Sequence, residues 1–114
     1  MTQYMFSVIH GELDYSPEEM QSIVADVDAF NAKYAEQTVF AGGLEEPSSA
    51  TMIDGTGSEV VVTDGPFAET KEQLGGFWIL ELPDLDTALK VGAEASKACA
   101  LALEIRPFQA EPPA

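Results

Sequence analysis

Histidine and cysteine each occur once in this chain of 114 residues, as His10 and Cys99, and basic side chains are scarce: five Lys and Arg against twenty Asp and Glu, a formal charge of −15 at pH 7. Each shortage excludes something. A single cysteine has no partner for an intrachain disulfide, which points to a reducing compartment. One His and one Cys, with no HxxxH or CxxC spacing, supply no metal-ligand set. An acidic surface repels phosphate backbones, since nucleic-acid binding rests on Lys and Arg neutralising phosphate. Nucleic acid and anionic membrane are therefore set aside as partners. No apolar run approaches the roughly 18 residues of a membrane span. The stretch Met1 to Ser7 lacks the basic and apolar segments of a signal peptide, and a cytoplasmic protein is expected. Gly42-Gly43, Gly55-Thr56-Gly57 and Gly75-Gly76 all lack the Lys-Ser/Thr ending of a phosphate loop, and no cofactor is expected.

What is present is a globular composition, with 46% hydrophobic and 22% charged residues, on a length that suits one domain. That domain is expected over 1-108, with 109-114, which contains Pro112-Pro113, as a frayed tail. Tyr4 to Ile9 is aromatic and β-branched and predicts a strand. Ser16-Pro17-Glu18-Glu19 is a capping box with proline at the first helical position. Met20, Ile23, Val24, Val27, Phe30 and Tyr34 follow as one apolar stripe. Thr38 to Ala41 is a short strand. Ala50 to Ile53 and Glu59 to Thr63 predict a hairpin across Asp54-Gly55-Thr56-Gly57. Gly76 to Leu82 is the most hydrophobic strand and should be central. Asp84 caps a second helix from Leu85 to about Ala98. Its inner face is expected to be Leu85, Ala88, Leu89, Gly92, Ala95 and Cys99, mostly small residues that allow close approach to a sheet. Leu101 to Phe108 is the last strand.

This order is the split βαβ, ferredoxin-like plan of an α+β fold, with a hairpin inserted in the middle. Both helices cover one sheet face. On the other face, Met5, Phe77 and Ile79 stand beside Ser7, Glu81, Glu104 and Arg106. A surface so mixed suits a subunit interface enclosing a partly polar cavity better than a solvated sheet face.

The densest chemistry lies in the connector Asp64-Gly65-Pro66-Phe67-Ala68-Glu69-Thr70-Lys71-Glu72-Gln73-Leu74-Gly75-Gly76, longer than the two to five residues a plain hairpin turn needs. Pro66 fixes its own φ and drives Gly65 toward an extended conformation. Asp64, Glu69 and Glu72 can perturb one another's pKa, and Lys71 lowers that of whichever carboxylate it meets. Groups pushed apart in this way serve as acid and base. Phe67 can plug the core or roof a pocket, and Gly75-Gly76 admits a ligand or another backbone. Asp-Gly-Pro is also turn chemistry in its own right, and Glu69 to Gln73 could equally be a solvated turn. Arg106 can pair with Glu81 or Glu104, or hold a ligand carboxylate. Ser7 faces the same surface. His10 is either a base or a loop residue beside Gly11. Cys99, on an apolar helix stripe, fits packing better than nucleophilic chemistry.

The Asp64 to Gly76 run resembles the signature of the DGPF-domain branch of the YCII-related family, nearly complete over its length. Tyr4-Met5, Ser16-Pro17-Glu18-Glu19 and Glu104-Ile105-Arg106-Pro107 are also similar to that family. The resemblance implies a ferredoxin-like fold, a homodimer whose two sheets form an α/β barrel, and a bacterial cytoplasmic protein. It does not bring one settled activity: dimeric α/β-barrel relatives include isomerases, monooxygenases and a dehydrochlorinase. The wider group is associated with a His–Asp pair whose histidine lies on the first helix, and this chain has no histidine there. Related proteins often carry a proline and paired glycines before the last strand, where this chain has Lys97-Ala98-Cys99-Ala100-Leu101-Ala102. The family's frequent proximity to extracytoplasmic-function sigma factors implies a regulatory or ligand-sensing task.

Together these readings predict a homodimer that binds a small organic molecule beside the Asp64–Gly76 loop. Asp64, Glu69 and Lys71 are the candidate catalytic residues for cofactor-independent isomerisation or elimination. Ser7, Phe67, Glu72, Gly75, Gly76 and Arg106 are the candidate ligand contacts. The alternatives are a non-enzymatic sensing or partner-binding module, or a loop that braces the dimer.

Overall fold

The computed structural model describes residues 1–10, 15–65 and 73–110. Among these residues, six strands and two helices run in the order β1 (Thr2–His10), α1 (Pro17–Lys33), β2 (Thr38–Gly43), β3 (Thr51–Asp54), β4 (Val61–Asp64), β5 (Gln73–Leu82), α2 (Leu85–Cys99) and β6 (Leu103–Pro107), with a 3-10 turn at Pro47–Ser49 between β2 and β3. Four strands form an antiparallel sheet in the order β2-β5-β1-β6, and β3-β4 form a separate two-stranded ribbon. With the ribbon set apart, this mixed α+β order is compatible with the ferredoxin-like plan.

Local chemistry sets the helix starts. Ser16 Oγ accepts the Glu19 amide at 3.1 Å, and the Ser16 amide reaches back to the Glu19 carboxylate at 3.5 Å, so the capping box is closed. Asp84 accepts the Thr87 amide at 2.8 Å, satisfying one of the free donors at the start of α2. Alternation in the strands then divides the sheet. Tyr4, Phe6, Val8, Trp78, Leu80 and Leu82 are buried beneath the helices with Phe30, Val91, Ala88, Ala95 and Ala98. Phe6 and Leu80 are fully buried, each contributing about 1.5–3 kcal/mol of hydrophobic stabilisation.

α2 is rotated from the expected face. Its buried stripe is Ala88, Val91, Gly92, Ala95 and Ala98, while Leu85 and Leu89 are exposed. The reason is contact distance. A Cβ on Gly92 would lie 2.3 Å from Ile105 Cδ1, so the helix settles with its glycine and alanines against the sheet and its leucines turned away. α1 is likewise buried over a narrower strip: Phe30 is its buried residue, and Met20 and Val24 are exposed. The two helices are joined by Lys33 and Tyr34, which both donate to the Glu94 carboxylate, Lys33 Nζ at 2.6 Å.

Several boundaries also moved. β5 begins at Gln73 rather than Gly76, because Leu74 and Gln73 continue the ladder opposite Ile9 and His10 after a register shift at Val8/Ile9. β6 begins at Leu103 because Ala100, in the left-handed region at φ 59°, ends α2 and turns the chain first. The expected hairpin forms, but its pairing covers only Thr51–Asp54 and Val61–Asp64. At its base Gly65 adopts φ 89° rather than an extended conformation, and its N–H donates to the Ala50 carbonyl at 2.6 Å. Proline restrains the preceding residue chiefly through ψ when that residue is glycine, and φ here follows the hydrogen bond.

Candidate functional site

Among the described residues, hollows lie on both faces of the sheet, and two of them are lined by predicted site residues. The first, of about 240 Å³, opens between α1 and the ends of β2 and β5. Gly42, Gly43, Gly75 and Gly76 meet there on neighbouring strands, and the absence of four side chains makes the space. Val8, Val27 and Trp78 form apolar walls. Asn31 sits one helical turn after Val27, so both reach the same mouth, and its Oδ1 accepts the Trp78 indole N–H at 2.8 Å. This bond satisfies the ring nitrogen. The space is small, and its lining is mostly apolar.

Cys99 is the one titratable side chain among the described residues of this lining. Burial pushes its thiol up, against weaker opposing hydrogen bonds to backbone, and Sγ lies 3.9 Å from the carbonyls of Ser96 and Leu101. At neutral pH it is a thiol and therefore a poor nucleophile.

The second hollow, of about 410 Å³, lies on the outer face and is lined by Met5, Ser7, Glu104, Arg106, Phe108 and its neighbours. Register explains the grouping: Arg106 stands opposite Met5, and Glu104 opposite Ser7. Arg106 is paired within its own strand, with Nε 3.1 Å and Nη2 2.5 Å from Glu104 Oε1. Of the roles expected for it, ion pairing is the one present, with Glu104 and not Glu81. The side chains are largely exposed, so the pair adds little stability.

Among the described residues, the predicted site residues therefore do not converge as one group. Gly75 and Gly76 line the first hollow; Ser7 and Arg106 line the second. Asp64 is exposed at the base of the ribbon, opposite Thr51, and lines neither. Phe67, Glu69, Lys71 and Glu72 lie outside the described residues. His10 closes β1 opposite Gln73. Among the described residues no cluster of three or more His, Cys, Asp or Glu is placed to hold a metal ion, and no helix is long and apolar enough to cross a membrane. Asn31, Trp78, Val27 and the Gly42-Gly43 pair were not singled out from sequence as site residues. The available signal was the recurrence of paired glycines at the ends of two strands, with a polar Asn on the apolar helix stripe.

A family profile described as the YCII-related domain matches residues 2–109. The chain is also 36% identical over 86 residues to uncharacterized protein R00369 of Rhizobium meliloti (strain 1021), an alignment covering 74% of this chain and 69% of that protein. The chain belongs to the YCII-related family.

Proposed function

We propose that this protein is a homodimer, its two sheets opposed as an α/β barrel, in which each protomer binds a small, mostly apolar organic molecule in the hollow between the Gly42-Gly43 and Gly75-Gly76 strand ends. The observation that carries the reading is that hollow itself: four glycines, an apolar wall and one carboxamide, placed where the Asp64–Gly76 loop rejoins the sheet. Binding without turnover is the reading favoured by the lining, in which the one described titratable group is a protonated thiol. It agrees with the sensing task that the family resemblance implies. Acid–base isomerisation or elimination is the second reading. It is favoured by one fact, that Glu72 joins the Gly75 wall through only Gln73 and Leu74.

Trp78 is the only tryptophan of the chain and lines the hollow, so intrinsic fluorescence together with thermal shift reports occupancy in a metabolite screen. A true ligand shifts both signals in the wild type and neither in Val27→Phe, which fills the space. Compounds that act equally on the filled variant would refute the site. NMR of the bound compound separates the two readings: an unchanged compound supports binding alone. Conversion that is lost in Asp64→Asn/Glu69→Gln, with melting temperature retained, supports catalysis by the loop. A melting temperature that falls several degrees in that variant supports the bracing role instead.

A further inference from the structure

The second hollow holds the one arginine of the chain. Among the described residues Lys33, Lys90 and Lys97 all lie on the helices, so Arg106 is the only Lys or Arg of the sheet. Its ion pair with Glu104 leaves part of the guanidinium free. Nε and Nη2 both donate to one carboxylate oxygen, Oε1, at 3.1 and 2.5 Å. A guanidinium carries five N–H donors. Those of Nη1 and the second of Nη2 find no partner among the described residues. Together they form the end-on fork that matches a carboxylate. The pair is exposed and adds little stability; its effect is to fix the plane in which that fork is offered.

Register brings the rest of the hollow to the fork. Residues two apart on a strand share a face, so Met5 and Ser7 of β1 stand with Glu104 and Arg106 of β6. Ser7 is the diagonal neighbour of Arg106, within reach of a long side chain. It is half-buried, and its hydroxyl has no hydrogen-bond partner among the described residues. Met5 and Phe108 supply apolar walls. The volume of about 410 Å³ falls within the roughly 300–1,000 Å³ of small-molecule sites.

We propose that this hollow is a second binding site, for a small monocarboxylate with an aromatic body. The carboxylate takes the Nη1–Nη2 fork of Arg106 and the Ser7 hydroxyl. The body lies between Met5 and Phe108, whose thioether and ring both favour an aromatic group. Charge selects a monoanion. Glu104 already balances Arg106, and Glu81 stands opposite Gln3 on the same face. A phosphate dianion brings one more negative charge against these carboxylates, with no second cation to offset it. The site is separate from the glycine-lined hollow, and its contacts all come from one protomer. In the dimer proposed above this face turns toward the partner's sheet, and β6, an edge strand, is the side from which the ligand enters.

With one arginine and one tryptophan in the chain, the Arg106 Nε–H and the Trp78 indole N–H each give a single NMR signal, and the ¹⁵N-labelled full chain reports the two hollows separately. Phenylacetate should shift the Arg106 Nε–H and Ser7 amide signals saturably and leave the indole in place. Its neutral isostere phenylacetamide should bind about 10-fold or more weakly, and Arg106→Gln should weaken phenylacetate as much, because a charge-assisted bidentate contact is lost. Arg106→Lys should not restore it, since an ammonium has no fork. The melting temperature of Arg106→Gln should stay near that of wild type, the pair being exposed. Ser7 and Arg106 signals unmoved by phenylacetate up to about 10 mM, or equal binding by phenylacetamide or by Arg106→Gln, would overturn the site. Tighter binding of phenyl phosphate would overturn the choice of a monoanion. A shift of the indole alone, lost in Val27→Phe, would overturn this site and favour the other hollow, so the two readings fail separately.

Discussion

Gly76 is where a single added methyl should cost most. It is buried on β5, opposite Val8 on one side and Gly43 on the other. A Cβ built there lies 2.9 Å from the Gly42 carbonyl oxygen and 3.1 Å from Gly43 Cα. Both neighbours are backbone, so no rotamer change relieves the contact; β2 has to move away from β5. Overpacking of this kind costs about 1–3 kcal/mol, and the smaller unfolded-state entropy of alanine offsets about 0.4–1 kcal/mol of it. Gly76→Ala is therefore expected to be about 1–2 kcal/mol less stable. At about 2.1 cal/mol/K per residue, a chain of 114 residues unfolds with about 240 cal/mol/K, so the melting temperature should fall by about 4–8 °C. Gly43→Ala is the paired control: nothing lies within 4 Å of its added Cβ, and its melting temperature should hold or rise slightly. Both are measured by circular dichroism at one protein concentration, because dimerisation makes melting concentration-dependent. A Gly76→Ala protein melting within a degree of wild type, or a Gly43→Ala protein losing as much, would refute the claim that close approach of these strands shapes the sheet end and the hollow beside it.

Ala100 occupies the left-handed region at φ 59°, which costs a residue with a Cβ about 1–2 kcal/mol; Ala100→Gly should gain up to about 1 kcal/mol after the entropy of glycine is set against it, and a lower melting temperature would contradict this. The Lys33–Tyr34–Glu94 cluster should give a pH signature. Hydrogen bonds from Lys33 and then Tyr34 hold the Glu94 carboxyl below its ordinary 4.5, and the Glu94 hydrogen bond raises Tyr34 above 10.0 and Lys33 above 10.5. The lowered carboxylate stabilises fully above pH 4.5 and loses this as pH falls through its folded value. The raised groups stabilise fully below about pH 10 and lose this as pH rises through theirs. Glu94→Gln should thus melt about a degree below wild type on the plateau between those limits, the groups being exposed. The gap should close on either side, and a gap that stays unchanged down to the acid unfolding limit would rule the cluster out as its cause.

Capping, alternation and strand order were legible from sequence because each depends on neighbours within a few positions. Ser16 and Glu19 close their box over a single turn, and Tyr4, Phe6 and Val8 declare a face by spacing alone. The family, too, could be read from one contiguous run. The rotation of α2 could not, since Leu85 and Leu89 are as apolar as Val91. The contact between Gly92 and Ile105, far apart in the chain, chose between them. Nor could the grouping of the site residues. Ser7 and Gly76 lie on adjacent strands, but a two-residue period sends neighbouring positions to opposite faces, and they line different hollows. Asp64 leaves both because its strand pairs with β3, in a ribbon separate from the four-stranded sheet. Composition and spacing specify which elements form. Which side chains then share a cavity depends on register, on helix rotation and on which strands pair, and these are settled only when distant backbones come within a few ångströms of each other.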